Sequence, residues 1–337
     1  MLIILLLLLI NNCLSFKPNN QARKLTSHYA NSPPDVWVEL SNVFKKSARD
    51  WFISRAEKKG IKWKEMVYDN RGNLDKLESI YDNITDTSII YPEYYTQAFH
   101  GYDTGNLNWE AAFEGEAATL SMAVNYWKNA DPIVTEQWLR YNVSNNIKSY
   151  LYDNNRDCNK EFCDTSNIKD ILDVGCSVGI STEYLSNSFL NLNSVTGLDL
   201  SPYFISMANY RANELKLPIN YIHANAEETD IPSNSYDLIV CNFILHEVPR
   251  DPTKSILNEM YRLLRPNGIL AIVDLNPTRV QDNLVVSTFR KWAFEVTEPH
   301  IYEYYKSNMT TWLEDVDFQN VKKITNDPIN SIWIGKK

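Results

Sequence analysis

From residue 168 onward, short apolar runs alternate with amphipathic stretches, the pattern of strands and helices that take turns in a parallel sheet covered on both faces. DILDV (170–174) predicts the first strand and STEYLSNSFL its helix. SVTGLDL predicts the second strand, and SPYFISMANYRANEL its helix, with Ser201 as N-cap and Pro202 at the first helical position. INYIHA and DLIVCNF read as the third and fourth strands, and PTKSILNEMYRLL as a helix stopped by Pro266. The turn Asn267-Gly268 feeds ILAIVDL, the fifth strand, and VKKITND with SIWIGKK predicts an antiparallel pair closing the sheet edge. The segment 277–308 reads as a helical cap over the strand ends. The expected fold class is therefore α/β, a Rossmann-like doubly wound sheet with a C-terminal antiparallel pair.

Upstream the period changes. Residues 35–150 read as helical and rich in aromatics, an N-terminal cap; in DVWVELSNVFKKSARDWF the apolar positions 36, 40, 43, 44, 48, 51 and 52 recur at helical spacing, and Gly60 follows the last charged turn. The segment Tyr91 to Phe113 carries seven aromatics together with His100, Asp103, Glu110 and Glu114. It is read first as core of the cap, and Glu110, Glu114 and Glu116 as a solvated helix face. A second helical stretch, IVTEQWLRYNVSNNIKSYL, leads into the polar linker 151–167, which sets the boundary of a domain spanning 168–337.

The first residues stand apart. Leu2 to Ile10 is an unbroken apolar run too short to span a bilayer, and Cys13-Leu14-Ser15 follows with small residues suited to a signal-peptidase site. The expectation is a signal peptide, with no stable membrane span once it is removed; a retained anchor is the alternative. The next stretch holds Lys17, Arg23 and Lys24 and no acid before Asp35. A signal followed by basic, hydroxylated, acid-poor sequence resembles the two-part plastid address of algae whose plastids lie inside the secretory system, so 1–34 reads as a targeting segment. A disordered secreted N-terminus is the other reading.

Composition narrows the partners. With 33 basic and 42 acidic residues among 337, a formal charge of −9 and no basic stripe, nucleic acid is disfavoured as a ligand, because such binding rests on neutralising phosphates. A small molecule or a protein remains. Cys158 and Cys163 are the one closely spaced cysteine pair, read as free thiols with a loop disulfide as the alternative, and no second Cys or His pair completes a metal site. Sequons at Asn83, Asn142 and Asn308 matter only in the secretory lumen.

The chemistry concentrates in ILDVGCSVGIST, Ile171 to Thr182. A strand ends at Asp173, glycines at 175 and 179 let a ligand approach the backbone, and a helix begins with unpaired N–H donors. A dinucleotide fingerprint needs G-x-G-x-x-G; here Ser177 stands at the middle position and the glycines are four apart, which favours a nucleoside ligand without phosphates. Asp199 ends the second strand, placed to accept both hydroxyls of a ribose. Asn225 and Ala226 follow the third strand, where a side-chain oxygen and a backbone N–H suit an adenine edge. Asn242 to Glu247 emerge at the far end of the fourth.

ILDVGCSVG, GLDLSP, HANAEETDIPSNSYDLIVCNFILHEVP and LLRPNGILAIVDLNP, in that order, resemble the successive motifs of class I S-adenosylmethionine-dependent methyltransferases, closest to the ubiquinone/menaquinone type. The resemblance covers about residues 168–275 plus the terminal hairpin, and YYTQAFHGYDTGNLNWEAAFE is similar to the N-terminal part of plant and cyanobacterial members. It implies S-adenosylmethionine as cofactor, with Asp173, Gly175 and Gly179 at the methionine end, Asp199 at the ribose and Asn225 with Ala226 at the adenine; Cys176, Leu200 and Asn242 are further cofactor-binding candidates. Two departures stand out: Ser177 where a third glycine is frequent, and Asn225 where Asp is usual. A sulfonium methyl is already activated, so alignment and exclusion of water are the main requirements, with a base only if the acceptor needs deprotonation. His246 and Glu247 are the candidates for that role, and His100 and Tyr102 for acceptor contact. The acceptor is expected to be a small molecule, aromatic or prenylated. A non-catalytic cofactor-binding scaffold remains open, and a nicotinamide-dependent reductase is disfavoured by the glycine spacing.

Overall fold

Seven strands form one sheet in the computed structural model, which describes residues 49–97, 102–127, 130–154, 165, 167–280, 282 and 300–337. The strands are β1 (Asp170–Val174), β2 (Ser194–Asp199), β3 (Asn220–His223), β4 (Tyr236–Asn242), β5 (Leu264–Leu275), β6 (Gln319–Thr325) and β7 (Asn330–Lys336). Their order is β3-β2-β1-β4-β5-β7-β6. The first five run parallel and β7 is antiparallel to both neighbours, as the terminal pair in the sequence predicts. Central strands buried on both faces need continuous apolar runs, and Ile171, Leu172, Leu238, Ile239 and Val240 supply them. Strand order reverses between β1 and β4, so the carboxyl ends of those strands open the crevice where such sheets bind ligands.

Helices cover the sheet. In chain order they are α1 (49–58), α2 (Trp63–Arg71), α3 (Leu74–Ile84), α4 (Trp109–Tyr126), α5 (Pro132–Asn154), α6 (Ile180–Ser188), α7 (Pro202–Leu215), α8 (Arg250–Leu263), α9 (Ile301–Lys306) and α10 (Met309–Asp315). Gly60 takes φ +91° just after α1, the left-handed position that stops a helix and that glycine adopts without strain. Ser201 caps α7 by accepting from the Phe204 N–H, with Pro202 behind it. Helix α8 ends at Leu263, and β5 already starts at Leu264, so Pro266 lies inside the strand. Of the expected cap over 277–308, Pro277–Arg279 and α9 are helical; 281 and 283–299 lie outside the described residues, as do 1–48, Cys158 and Cys163.

The N-terminal helices share the core of the sheet. Trp63, Phe113, Val178 and Phe204 belong to one apolar cluster, and Val143, Ile147 and Tyr150 of α5 join Ile171, Val195 and Leu238 in another. Ala48–Lys337 is accordingly one compact unit. Arg211 of α7 binds Glu116 of α4 and, at 2.9 Å, Glu183 of α6, tying three helices together. Glu110 and Glu116 keep exposed side chains, as a solvated helix face requires, while Glu114 departs from it. Glu114 is 5% exposed and accepts from Tyr102 Oη and Arg49, while Glu110 pairs with Arg71. Each faces a basic or hydroxyl partner far along the chain, which helical spacing does not reveal.

Candidate active site

The glycine loop is built by conformation. Gly175 and Gly179 sit at φ +66° and +87°, and Ser177 between them at +50°. A side chain on Gly175 would overlap Ile244, and one on Gly179 would come within 2.5 Å of the Tyr221 hydroxyl. Asp173 holds the loop from beneath: its carboxylate accepts from Ser181 Oγ at 2.5 Å and Thr182 Oγ1 at 2.8 Å, in the first turn of α6. Burial raises its pKa. Cys176 is buried too, and desolvation raises its thiol.

Asp199 lies beside that loop. Its Oδ2 accepts from the Ser177 N–H at 2.9 Å and its Oδ1 from the Ser201 N–H at 2.8 Å. The side chain is 8% exposed, and burial pushes its pKa up to about 6 against those two bonds. A carboxylate has roughly four acceptor positions, so two backbone bonds leave capacity for a pair of hydroxyls. The Leu200 carbonyl accepts from His223 Nε2 at 3.1 Å, and His223 Nδ1 accepts from the Asp86 N–H at 3.0 Å. Those partners fix the neutral Nε2–H tautomer, and burial lowers the imidazole pKa.

The next loop carries Asn225, whose Oδ1 accepts from the Glu227 N–H at 3.0 Å in an Asx turn, and half-buried Ala226. The aromatic segment arrives here. Tyr94 donates to Glu227 Oε1 at 2.8 Å, and the Tyr91 hydroxyl lies 3.3 Å from His223 Nε2. Tyr95, in the turn Glu93–Tyr95, has its hydroxyl raised well above its usual range by burial, with Asp199 and Glu247 the next causes. Its ring stacks on that of Tyr91, with centroids 6.2 Å apart.

Beyond β4, the chain turns at Phe243 with φ +59°, and Ile244 packs over Gly175. Asn242 is buried; its Nδ2 lies 3.4 Å from Asp173 Oδ1, while no described residue partners its Oδ1. Arg140 of α5 reaches the same corner, bonded to Glu136 at 2.7 Å; Arg140, Ser181, Tyr184 and Asn242 line a cavity of about 10 Å³. His246 is 7% exposed, with Nδ1 2.7 Å from Asp274 Oδ1 and Nε2 3.9 Å from Glu247 Oε1. The structure thus gathers Asp173, the glycines, Asp199, Leu200, Asn225, Ala226, Asn242, His246 and Glu247 along the carboxyl edge of the sheet. Tyr102 instead turns to Glu114 and Arg49, and His100 lies outside the described residues. Sequence reading missed Tyr95, Arg140, His223 and Asp274; the available signal was an acid closing the fifth strand as acids close the first and second.

The methyltransferase domain family matches residues 172–272, the span from β1 to β5 that builds this edge. That span is similar to a methyltransferase domain. A demethylmenaquinone methyltransferase of Oceanobacillus iheyensis is 30% identical over 157 residues, covering 45% of this chain and 64% of that protein. A ubiquinone biosynthesis O-methyltransferase of Histophilus somni is 33% identical over 133 residues, covering 38% and 50%. The chain thus spans less than two thirds of the length of these curated relatives. A solved S-adenosylmethionine-dependent methyltransferase from Aquifex aeolicus aligns with 20% identity and a TM-score of 0.39, over 50% of this chain and 81% of that one.

The residues along this edge fit S-adenosylmethionine. Asn242 Oδ1 is a buried acceptor suited to an ammonium, Asp199 retains acceptor capacity for a ribose, and two glycines with positive φ keep side chains off the loop.

Proposed function

We propose that this chain transfers a methyl group from S-adenosylmethionine to a small-molecule acceptor. The observation that carries the reading is Asp199: a buried carboxylate at the switch point, held by the glycine-loop N–H of Ser177, whose placement suits a ribose without phosphates. Asp173 orders the loop rather than touching the ligand, since Ser181 and Thr182 engage it. Arg140 and Asn242 flank the methionine end, and Asn225 with Ala226 the adenine. The bound cofactor supplies an electrophilic methyl on a sulfonium. The protein's part is to hold the acceptor in line with it and keep water out, and Tyr95, Glu247 and His246 stand where that acceptor would approach.

The acceptor class we take from the relatives named above is a quinone-type ring, aromatic and open to carrying a prenyl tail. Calorimetry with S-adenosylhomocysteine, followed by competition with NADPH, tests the cofactor. Binding of NADPH in place of S-adenosylhomocysteine would replace methyl transfer with a reductase. Metabolite profiling of a deletion strain should reveal an accumulated demethyl precursor. We further propose that residues 1–34 address the chain through the secretory system to a plastid; a fluorescent fusion of residues 1–40 that stays in the cytosol would refute it. Among the described residues no helix is long and apolar enough to cross a membrane.

A further inference from the structure

We infer that His223 is a positioning residue whose neutral ring clasps the segment 86–95 to the turn that follows Asp199, and that a proton on the ring opens the clasp; what this means for the cofactor rests on the methyl-transfer reading above. His223 ends β3 and is 5% exposed. Its two nitrogens serve two different pieces of chain. Nε2 lies 3.1 Å from the Leu200 carbonyl, which can only accept, and 3.3 Å from the Tyr91 hydroxyl. Nδ1 lies 3.0 Å from the Asp86 nitrogen, whose N–H can only donate. One nitrogen must therefore carry the proton and the other the lone pair, and only the neutral Nε2–H ring meets both demands. Leu200 directly follows the acid assigned to the ribose, and Asp86 lies just past the end of α3, so one imidazole joins the N-terminal helices to the cofactor edge.

Protonation cuts one side of that bridge. The imidazolium has two donors and no acceptor, so Nε2–H keeps the Leu200 carbonyl while Nδ1–H is turned against the Asp86 N–H. A proton arrives from water on Nδ1, the N–H···N bond is lost, and the segment lets go at Asp86. Tyr94 still donates to Glu227 further along, which keeps the opening local. Among the described residues, the charged and titratable groups around the ring are Asp86 and Tyr91 of the segment and, on β2, its register partner Asp199, whose carboxylate is engaged by the Ser177 and Ser201 N–H groups. Tyr81 of α3 and Tyr203 of α7 act electrostatically on Tyr91. Asp86 Oδ1 accepts from the Ser88 N–H at 2.8 Å and from its Oγ at 2.6 Å, which lowers the carboxyl pKa and keeps it ionised. Burial lowers the ring's pKa from an ordinary 6.5, against the Leu200 bond and the Asp86 charge. The clasped, neutral form is the resting one at pH 7. An opened ring regains the ordinary value, so the clasp is at full strength above pH 6.5 and weakens toward tenfold per unit as pH falls from there to the clasped ring's own lower pKa. In the methyl-transfer reading the segment borders the adenine position at Asn225, and a ligand seated there draws the clasp shut.

Three measurements on the full chain test this. Nitrogen-15 NMR of the histidine side chains should show His223 protonated at Nε2, with a titration below pH 6.5; an Nδ1-protonated ring overturns the clasp. Hydrogen exchange of the Asp86 amide in the ligand-free protein, corrected for the intrinsic pH dependence of exchange, should lose about tenfold in protection between pH 7.5 and pH 5.5. His223→Gln offers an acceptor and a donor at every pH, so it should keep the protection and lose the pH dependence, whereas His223→Phe should lose protection at pH 7.5 as well. The Gln variant carries the test if His223→Phe does not fold. Wild-type protection that stays level from pH 5 to 7.5, as an ion pair between the imidazolium and the Asp86 carboxylate would give, overturns the clasp, and so does a Gln variant with the wild-type slope. Saturating S-adenosylhomocysteine at pH 5.5 should restore protection at Asp86. Binding without that restoration severs the clasp from the cofactor. Absence of S-adenosylhomocysteine binding at pH 7.5 would instead refute the reading in the preceding subsection, while exchange and NMR of the ligand-free protein would still decide the clasp.

Discussion

Asp199 should make cofactor binding pH-dependent in a range where the ligand itself does not titrate. Its carboxyl is held at a pKa of about 6, against an ordinary 3.8, because burial outweighs the two N–H bonds from Ser177 and Ser201. Ribose hydroxyls donate to the ionised form, so binding should be full strength above pH 7 and weaken toward tenfold per unit as pH falls below about 6. Between pH 7.5 and pH 5 the expected change in Kd for S-adenosylhomocysteine is about tenfold, with proton release on binding near pH 6. The stability linkage has the opposite sense in the ligand-free protein. A pKa raised by folding gives a contribution fully present below 3.8 that is lost as pH rises through about 6, on the order of 3 kcal/mol, and bound ligand offsets that loss. Asp199→Asn removes the charge and turns an amide NH₂ toward one backbone N–H. Losing charge-assisted bonds worth roughly 1.5–3 kcal/mol should weaken binding at pH 7.5 by about 10- to 150-fold and flatten the pH dependence. Calorimetry in two buffers of different ionisation enthalpy reads all three effects. A Kd for the wild type that stays level from pH 5 to 7.5, or an Asn variant that keeps the same slope, would refute the assignment of Asp199 to the ribose.

Other substitutions probe the loop and its supports. Ser177→Gly should stabilise the protein by about 0.5 kcal/mol in urea, since φ +50° costs an L-residue about 1–2 kcal/mol and glycine's chain entropy returns about 0.5–1; a loss of stability would show that the serine side chain holds the loop. Gly115→Ala places a Cβ 2.7 Å from Val178 Cγ1, so it should push the glycine loop, cost about 1–3 kcal/mol and weaken S-adenosylhomocysteine binding, with Val178→Ala restoring most of both. If the double variant fares no better than the single one, the contact is not the cause. Arg211→Met strands Glu116 and Glu183 and should cost roughly 2–3 kcal/mol, part of it recovered by adding Glu183→Gln. Thermal unfolding that is unchanged in Arg211→Met would refute the three-helix tie.

The sheet and cofactor edge were legible because their signals are local. A strand, a glycine turn and a helix start lie within twelve residues of ILDVGCSVGIST, and Ser201-Pro202 writes its own N-cap. What escaped depends on partners far apart in the chain. Asp274 reaches His246 across 28 positions, and Asp86 reaches His223 across 137. Glu114 reads as a surface acid until Arg49 and Tyr102 close on it. Periodicity identifies which face of a helix is apolar; it does not say which distant cation or hydroxyl an acid on the other face will meet.

The bonds of residues 86–94 to His223 and Glu227 carry a kinetic consequence. They attach the N-terminal segment on either side of Asn225, where the adenine would lie. A nucleoside seated there would be bordered by this strap, so opening those few hydrogen bonds would add to the barrier to its escape. Turnover would then be paced by product departure, and substitutions at Tyr94 or His223 would raise the maximal rate while loosening the grip on the spent cofactor.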